Sequence, residues 1–139
     1  MKWNWGIKVN MRFLSRAKRH DNREWVHGYY TECLTCNKIE NIIIFPERSD
    51  IFKIAVDPKT LCQCTGVLDK HAAYIYENDI LKISGETRFS PVCYGIVVWT
   101  HGMWLVNFSD KISNILSECL HHFCCEIVGN TIDNTEALK

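Results

Sequence analysis

The chain has 139 residues, 47% of them hydrophobic, and its 16 basic and 16 acidic side chains give a formal net charge of zero. This length fits a single domain, and the hydrophobic content is enough for a core without cross-links. A neutral total argues against a dedicated nucleic-acid coat protein or a membrane-surface protein. No apolar run approaches the roughly 20 residues of a membrane helix, and the N-terminus lacks the apolar core of a signal peptide. We therefore expect a cytoplasmic protein whose eight cysteines are thiols or metal ligands.

The N-terminal half of the chain alternates between apolar and polar residues, as β-strands do. Residues 12–19 and 24–30 predict a hairpin. The inward-facing positions of its first strand would be Phe13, Ser15 and Ala17. Further strands are predicted where β-branched and aromatic residues precede turn signals such as Pro46 and Asp57-Pro58. These strands cover residues 39–45, 52–56 and 61–65.

The C-terminal half contains more strands and one segment of different period. Residues 79–83 predict a strand, and residues 93–100 and 103–108 predict a hairpin around His101-Gly102. Residues 110–122 predict a helix, capped by Ser109 or Asp110, because apolar residues recur with helical spacing. These apolar residues are Ile112, Ile115, Leu116, Cys119 and Leu120. A last strand is predicted over 126–130.

These elements predict a mainly β fold, either a small twisted barrel or a rolled antiparallel sheet, with one packed helix near residues 110–122. Residues 1–10 are predicted to be an appendage to a single domain over 11–139, and the sequence leaves open whether translation starts at Met1 or Met11. A sheet of this kind must close or pair its edges. Self-association is one common way to do so, which favours a homo-oligomer.

Two cysteine pairs are the first candidates for a metal site. Cys33 and Cys36 form a C-x-x-C, and Cys62 and Cys64 form a C-x-C. Four thiolates would suit tetrahedral zinc, whereas small buried thiols would simply fill a core. We favour the core role and assign no metal ligand and no cofactor.

A second soft-ligand cluster lies near the C-terminus, comprising Cys119, His121, His122, Cys124 and Cys125. A cysteine–histidine pair can act as a nucleophile, or several of these residues can bind a metal. The predicted position is a helix C-terminus, where the helix dipole alone favours protonated histidines. No third residue that would orient the pair is evident, so we assign no catalytic residue.

Carboxylates and cations offer two more interpretations. Glu77 and Asp79 would point to the same face of an extended chain, as an acid/base or metal pair does, but carboxylates at a turn more often bond backbone N–H groups. Seven basic residues lie near several aromatic residues in the N-terminal region, which is typical of single-strand binding. The basic residues are Lys2, Lys8, Arg12, Arg16, Lys18, Arg19 and Arg23, and the aromatic residues are Trp3, Trp5, Phe13, Trp25, Tyr29 and Tyr30. Core packing of the aromatics is the alternative.

Three stretches of the chain, in their order and spacing, resemble the YopX family of bacteriophage and prophage proteins. They are RAKRHDNREWVHGY (16–29); QCTGVLDK (63–70) with IYENDILKI (75–83); and EIVGN (126–130) with NTEAL (134–138). The resemblance covers residues 11–139. It implies a phage or prophage origin, a location in the bacterial cytosol and a β-rich fold, but no particular activity.

The chain departs from the family pattern at its turns. Arg23 and Asn78 replace glycines, His71-Ala72 replaces an Asn-Gly pair, and Cys64 replaces a tyrosine. Because asparagine is the commonest non-glycine residue at positive φ, we expect Asn22 to take that conformation in the first turn and Asn78 in a later one. At His71-Ala72 we expect a longer loop.

The sequence favours a non-enzymatic phage accessory protein that self-associates and binds a host or phage macromolecule. A nucleic-acid-binding small barrel that uses the basic N-terminal hairpin is the alternative, and a zinc-dependent protein or enzyme is the second alternative. Standard nucleotide, zinc-protease and serine-hydrolase motifs are absent from the sequence. Nothing in the sequence identifies the binding residues.

Overall fold

The structure is a computed structural model that describes residues 13–44, 53–109 and 111–135. Two compact units divide the chain, residues 1–64 and residues 65–139. Antiparallel strands make up most of the described residues, and these residues also include a helix. The predicted mainly β fold is therefore confirmed. The predicted appendage, with Trp3 and Trp5, lies outside the described residues.

The first unit is built on a ring of four strands. They are β1 (Ser15–Arg19), β2 (Trp25–Thr35), β3 (Lys38–Ile44) and the first part of β4 (Lys53–Leu68). Each strand pairs with the next, and β1 also pairs with β4, so the ring closes. Inside it lie Ala17, Ile43, Ile54 and Val56, with Val26, Tyr30 and Leu61 packed against them. Closure satisfies backbone groups that an open sheet would expose at its edges.

The fourth strand runs through Asp57-Pro58, where the sequence predicted a stop. The β1–β4 register shifts between Arg16 and Lys18, so Pro58 falls at an irregularity and no ladder hydrogen bond requires its missing N–H. The Lys18 N–H instead donates to Thr60 Oγ1 at 2.8 Å, and that hydroxyl donates to the Asp57 carbonyl at 2.7 Å. The prediction that Asp57-Pro58 ends the strand was wrong.

Two predictions for the first hairpin were also wrong in detail. Phe13 is 67% exposed, whereas Leu14 and Ala17 are buried, because β1 begins only at Ser15 and its alternation does not extend back to Phe13. At the turn, Arg23 itself has a φ of 61°. Asn22 contributes differently, since its Oδ1 accepts the Glu24 N–H at 2.9 Å.

The β2–β3 hairpin extends beyond the ring as a two-stranded ribbon, which we call the distal ribbon and define as residues 31–41. In the described part of the chain β1 pairs with β2 only up to Gly28, and β4 pairs with β3 only from Ile42 onward. The tip is a two-residue turn, Cys36-Asn37, with φ values of 47° and 63°. Positive φ at both positions is the mark of a type I′ turn, which fixes the register of the strands on either side.

The second unit contains a five-stranded antiparallel sheet of order β10-β6-β7-β8-β9. β5 is not part of this sheet. The elements of the unit are β5 (Tyr74–Tyr76), β6 (Asp79–Ser84), β7 (Val92–Thr100), β8 (Met103–Ser109), β9 (Ile112–Ile115), α1 (Leu116–His122) and β10 (Cys124–Asn130). One face of the sheet packs with the helix around a core of Ile75, Leu81, Ile83, Val97, Val106, Leu116, Cys119 and Cys125. The opposite face is called the outer face below. The predicted hairpin at His101-Gly102 is confirmed, with φ values of 52° and 79°.

The helix is shorter than the sequence predicted. Residues 112–115 form strand β9, paired with β8, and only residues 116–122 are helical. Leu116 and Cys119 are buried as expected, but Ile112 is exposed. The predicted cap Ser109 is the last residue of β8, and the alternative cap, Asp110, lies outside the described residues. Ile115 occupies the N-cap position without a side-chain hydrogen bond. The prediction of a helix was correct for the two turns of residues 116–122. It was wrong for residues 112–115, which form a strand at the sheet edge.

Candidate interaction surface

The cysteines proposed as zinc ligands are not brought together. Cys33 lies in a strand of the distal ribbon and Cys36 in its turn. Cys62 and Cys64 are fully buried on β4, and Cys62 Sγ donates to the Thr60 carbonyl at 3.3 Å. Across the three described stretches, no group of three or more His, Cys, Asp or Glu side chains could hold a metal ion.

The cluster near the C-terminus divides between the core and the surface. Cys119 and Cys125 are buried in the second unit, and burial raises the pKa of both thiols, that of Cys125 to about 11. A protonated, buried thiol is a poor nucleophile and a poor metal ligand. Cys124, His121 and His122 are exposed. His122 Nε2 lies 3.3 Å from Glu118 Oε2, one helical turn away.

Carboxylates in the central stretch of resemblance, residues 63–83, accept hydrogen bonds from backbone N–H groups. Asp79 is buried, and its Oδ2 accepts the Tyr76 N–H at 2.7 Å across a turn in which Asn78 has a φ of 70°, as expected. Glu77 lies in this turn and not in an extended strand. The shared-face argument for a Glu77–Asp79 pair therefore has no geometric basis here. Burial raises the pKa of Glu77.

Asp69 is the centre of a second backbone network. Its Oδ1 accepts the N–H groups of His71 and Ala73 at 2.9 and 3.0 Å, and its Oδ2 accepts the Ile127 N–H at 3.1 Å. Five residues separate β4 from β5 here, and Ala72 has a φ of 61°, so the expected longer loop is confirmed. The carboxylate ties this loop to β10.

The closing family stretch forms a turn of the same kind. Asn130 Oδ1 accepts the N–H groups of Ile132 and Asp133 at 3.1 and 2.8 Å. The side chain of Asn134 returns the contact, since its Oδ1 accepts the Asn130 N–H at 3.0 Å. In the second unit, the residues that carry the family resemblance thus act as turn and backbone anchors.

The basic N-terminal hairpin uses its cations within the first unit. Arg19 NH2 lies 2.6 Å from Asp21 Oδ2, and Arg23 NH1 lies 2.9 Å from Asp57 Oδ2. The Trp25 ring has the Arg16 guanidinium carbon 4.8 Å and the Lys18 Nζ 5.4 Å from its centroid. These four cations already have partners in the fold. Lys2, Lys8 and Arg12 lie outside the described residues.

The outer face of the second sheet is unusually apolar. Residues that pair directly across strands share a face, and the pairs Ile80–Ile96 and Val98–Leu105 lie opposite the core. Ile80 is buried and the other three are half-buried. Tyr94 on the same face is 56% exposed. Other exposed apolar residues lie on this face or beside it, namely Val92, Met103, Ile115 and Val128. Apolar patches of this kind on a soluble domain mark binding surfaces.

A cleft of about 480 Å³ lies on this face. Its lining includes Ile80, Tyr94, Ile96, Asn107, Phe108 and Val128. A neighbouring cleft of about 600 Å³ shares part of that lining and reaches Lys111 and Ile112. Lys82 pairs across strands with Tyr94 and adds a second cation beside the clefts. The walls of the first cleft are mostly apolar with a few polar groups, which is typical of binding sites, whereas the walls of the second are more polar.

Glu126 pairs with Lys82 on the neighbouring strand, and its carboxylate already contacts two other side chains. Its carboxylate lies 3.0 Å from Lys70 Nζ and 3.2 Å from His71 Nε2, and these hydrogen bonds lower the pKa of Glu126. The cleft side of the face therefore offers apolar walls with positive charge at the rim.

Reasoning from sequence missed this surface. The signal was present in residues 92–99, VCYGIVVW, where apolar residues occupy both alternating sets. A strand with one solvated face should alternate, whereas a continuous apolar run indicates a strand covered on both faces.

Comparison with known proteins places the chain in a family. No curated protein matches it. In the part of the chain that the structure describes, no helix is long and apolar enough to cross a membrane. The family model described as YopX protein matches residues 14–139. This match spans both units and all three stretches of resemblance, and the chain therefore belongs to the YopX family.

Proposed function

We propose that this protein is a non-enzymatic interaction module that associates with further copies of itself through the outer face of its second sheet. The observation that carries the proposal is the apolar, clefted surface around Tyr94 and Ile96. Covering it removes apolar area from water, which is the main favourable term in association. A phage accessory role in the bacterial cytoplasm, with a host or phage macromolecule as further partner, agrees with membership of the family.

The size of the outer face supports a second copy as its occupant. Five strands about 4.8 Å apart and about six residues long span roughly 24 Å by 20 Å. This flat area of roughly 480 Å² is more than half of the area that one partner contributes to a stable interface, about 800 Å². A small ligand would fill one cleft and leave the apolar surround exposed.

The positions of the reactive side chains give little support to an enzymatic function. Among the described residues, the thiols of the C-terminal cluster are divided between core and surface, and Glu77 and Asp79 serve a turn. The nucleic-acid alternative is weaker than self-association because the hairpin cations from Arg16 to Arg23 already contact carboxylates or Trp25. An affinity for single-stranded DNA that fell steeply with salt would favour that alternative.

The test is the mass of the purified protein in solution by light scattering after size exclusion, over a range of concentrations. We expect a multiple of the chain mass for the wild type, and dissociation for Tyr94→Asp, which adds a charge to the cleft. Phe89→Asp is the matched control, because Phe89 is 82% exposed in a loop and the charge change is the same. A wild type that is monomeric at every concentration would refute the proposal.

A further inference from the structure

The distal ribbon carries a second apolar feature that the fold leaves uncovered. Leu34 and Ile39 pair directly across its two strands, so their side chains lie together on one face. They are 73% and 62% exposed. The same face continues inward through Tyr30 and Ile43 to the core of the first unit.

The ribbon holds this apolar pair in a defined position. The type I′ turn at Cys36-Asn37 sets the register that places Leu34 opposite Ile39. The Tyr30 hydroxyl donates to Asn41 Oδ1 at 2.7 Å and so links the strands lower down. The strand rises about 13 Å over the four steps from Thr31 to Thr35. A two-stranded hairpin is marginally stable by itself in water, so an exposed apolar tip gains from a partner.

The clefts determine what shape of partner fits the outer face. Two identical concave faces packed against each other would leave facing hollows, and unfilled volume forfeits packing contacts on every wall. A projecting apolar pair would fill the hollow instead. A cavity of about 150 Å³ already accommodates benzene, so the cleft of about 480 Å³ can admit the side chains of both Leu34 and Ile39.

The charges of the two surfaces are complementary. Glu32 lies on the same ribbon face as Leu34, whereas Glu40 lies on the opposite face. Lys82 and Lys111 lie at the clefts. Opposite charges at the rim of an apolar contact guide association and fix its register.

We propose that the distal ribbon of one copy inserts Leu34 and Ile39 into the outer-face cleft of a second copy. This inference rests on the proposed self-association and names the surface that occupies the cleft. The contact joins two different patches, so every copy carries one ribbon and one cleft for its neighbours.

The experiment uses two full-length variants, each of which removes one half of the contact. Leu34→Asp/Ile39→Asp disables the ribbon and leaves the cleft, whereas Tyr94→Asp disables the cleft and leaves the ribbon. Each variant alone should have a dissociation constant raised by on the order of tenfold to a hundredfold, the usual effect of losing a central apolar contact. Mixed together, they should form a one-to-one heterodimer in native mass spectrometry, because one intact ribbon meets one intact cleft.

Control variants test charge and folding. Lys38→Glu changes the charge of the ribbon tip by the same amount as the double variant, but on the opposite ribbon face, so it should assemble as the wild type does. Phe89→Asp is the corresponding control for the cleft variant. Circular dichroism of each variant must match that of the wild type.

Each remaining outcome counts against the ribbon contact in a distinguishable way. If Tyr94→Asp dissociates and the ribbon variant assembles normally, self-association through the outer face stands and the ribbon contact is refuted. If both variants dissociate and their mixture stays monomeric, the two patches do not contact each other. If the wild type is itself monomeric, the proposed function and this inference fail together.

Discussion

Replacing Asp69 gives the sharpest test of the idea that family residues act as backbone anchors. Its carboxylate accepts three backbone N–H groups, from His71, Ala73 and Ile127. In Asp69→Ala all three donors lose their acceptor. We estimate about 1 kcal/mol for each loop donor, which water can reach, and about 2 kcal/mol for the donor on β10. The expected loss is about 4 kcal/mol, a large part of the roughly 5–15 kcal/mol by which domains are stable.

The assay is urea unfolding followed by tryptophan fluorescence, with the free energy taken from midpoint and slope. Asp69→Asn keeps one carbonyl oxygen for the two loop donors and presents an amide to the third, so it should lose about 1–2 kcal/mol. Glu86→Ala, at an exposed loop carboxylate, should change stability by less than about 0.5 kcal/mol. A loss below about 1 kcal/mol for Asp69→Ala would refute the anchoring role. Equal losses for Ala and Asn would contradict the count of acceptors.

The same residue predicts an acid dependence. Burial raises the pKa of Asp69, but its three backbone hydrogen bonds outweigh burial and leave the pKa below its ordinary value. A group with a lowered folded-state pKa contributes its full stability above the unfolded-state pKa, near 4, and loses it as the pH falls through the folded-state value. The wild type should therefore lose more stability on acidification below about pH 4 than Asp69→Asn does.

Two further predictions concern the second unit. Gly95→Ala should lower the unfolding free energy by about 1–3 kcal/mol in the same urea assay, because an added Cβ would overlap Val106 Cγ1; a neutral result would show that β7 can shift. Cys119 and Cys125 should be alkylated far more slowly than the exposed thiols at about pH 8, because burial raises their pKa. Mass spectrometry after brief alkylation reads this difference, and labelling of Cys125 as fast as Cys36 would contradict it. The exposed thiols are Cys36, Cys93 and Cys124.

Local signals predicted the local structure well. The hairpin at His101-Gly102 and the turn at Asn78 follow from residues that tolerate positive φ between apolar strands, and both are present. Arg23 shows the limit of such reasoning. Asparagine has the higher intrinsic preference for positive φ, but the Asn22 side chain bonds the next turn amide and leaves that conformation to its neighbour.

Predicted boundaries of strands and helices were wrong where pairing with another strand sets the boundary. Residues 112–115 have the spacing of a helix, yet the edge of β8 takes them as a strand. Pro58 looked like a stop, yet the β1–β4 register shift accommodates it. The contact with β1 that accommodates Pro58 is remote in sequence, so periodicity and turn chemistry could not reveal it. The pairing of residues 112–115 with β8 is local, but their helical spacing concealed it.

The candidate surface was hidden for a different reason. The chemically reactive side chains in the sequence are cysteines and carboxylates, and the fold uses them for packing and turns. The outer face contains apolar residues that remain exposed, such as Tyr94, beside half-buried ones such as Ile96. The apolar run of residues 92–99 indicates a strand that is covered on both faces, but it does not show whether this chain or a partner supplies the second cover.

Closure of the four-stranded ring has a consequence for where the chain can be shortened. Strand β1 joins β2 to β4, so its five residues, Ser15–Arg19, complete a circuit that no other described strand can complete. A chain that began at Met11 would retain the whole of β1 and the ring. Removal of residues through Arg19 would convert the ring into an open sheet with two unpaired edges, the form of β-structure most prone to aggregate.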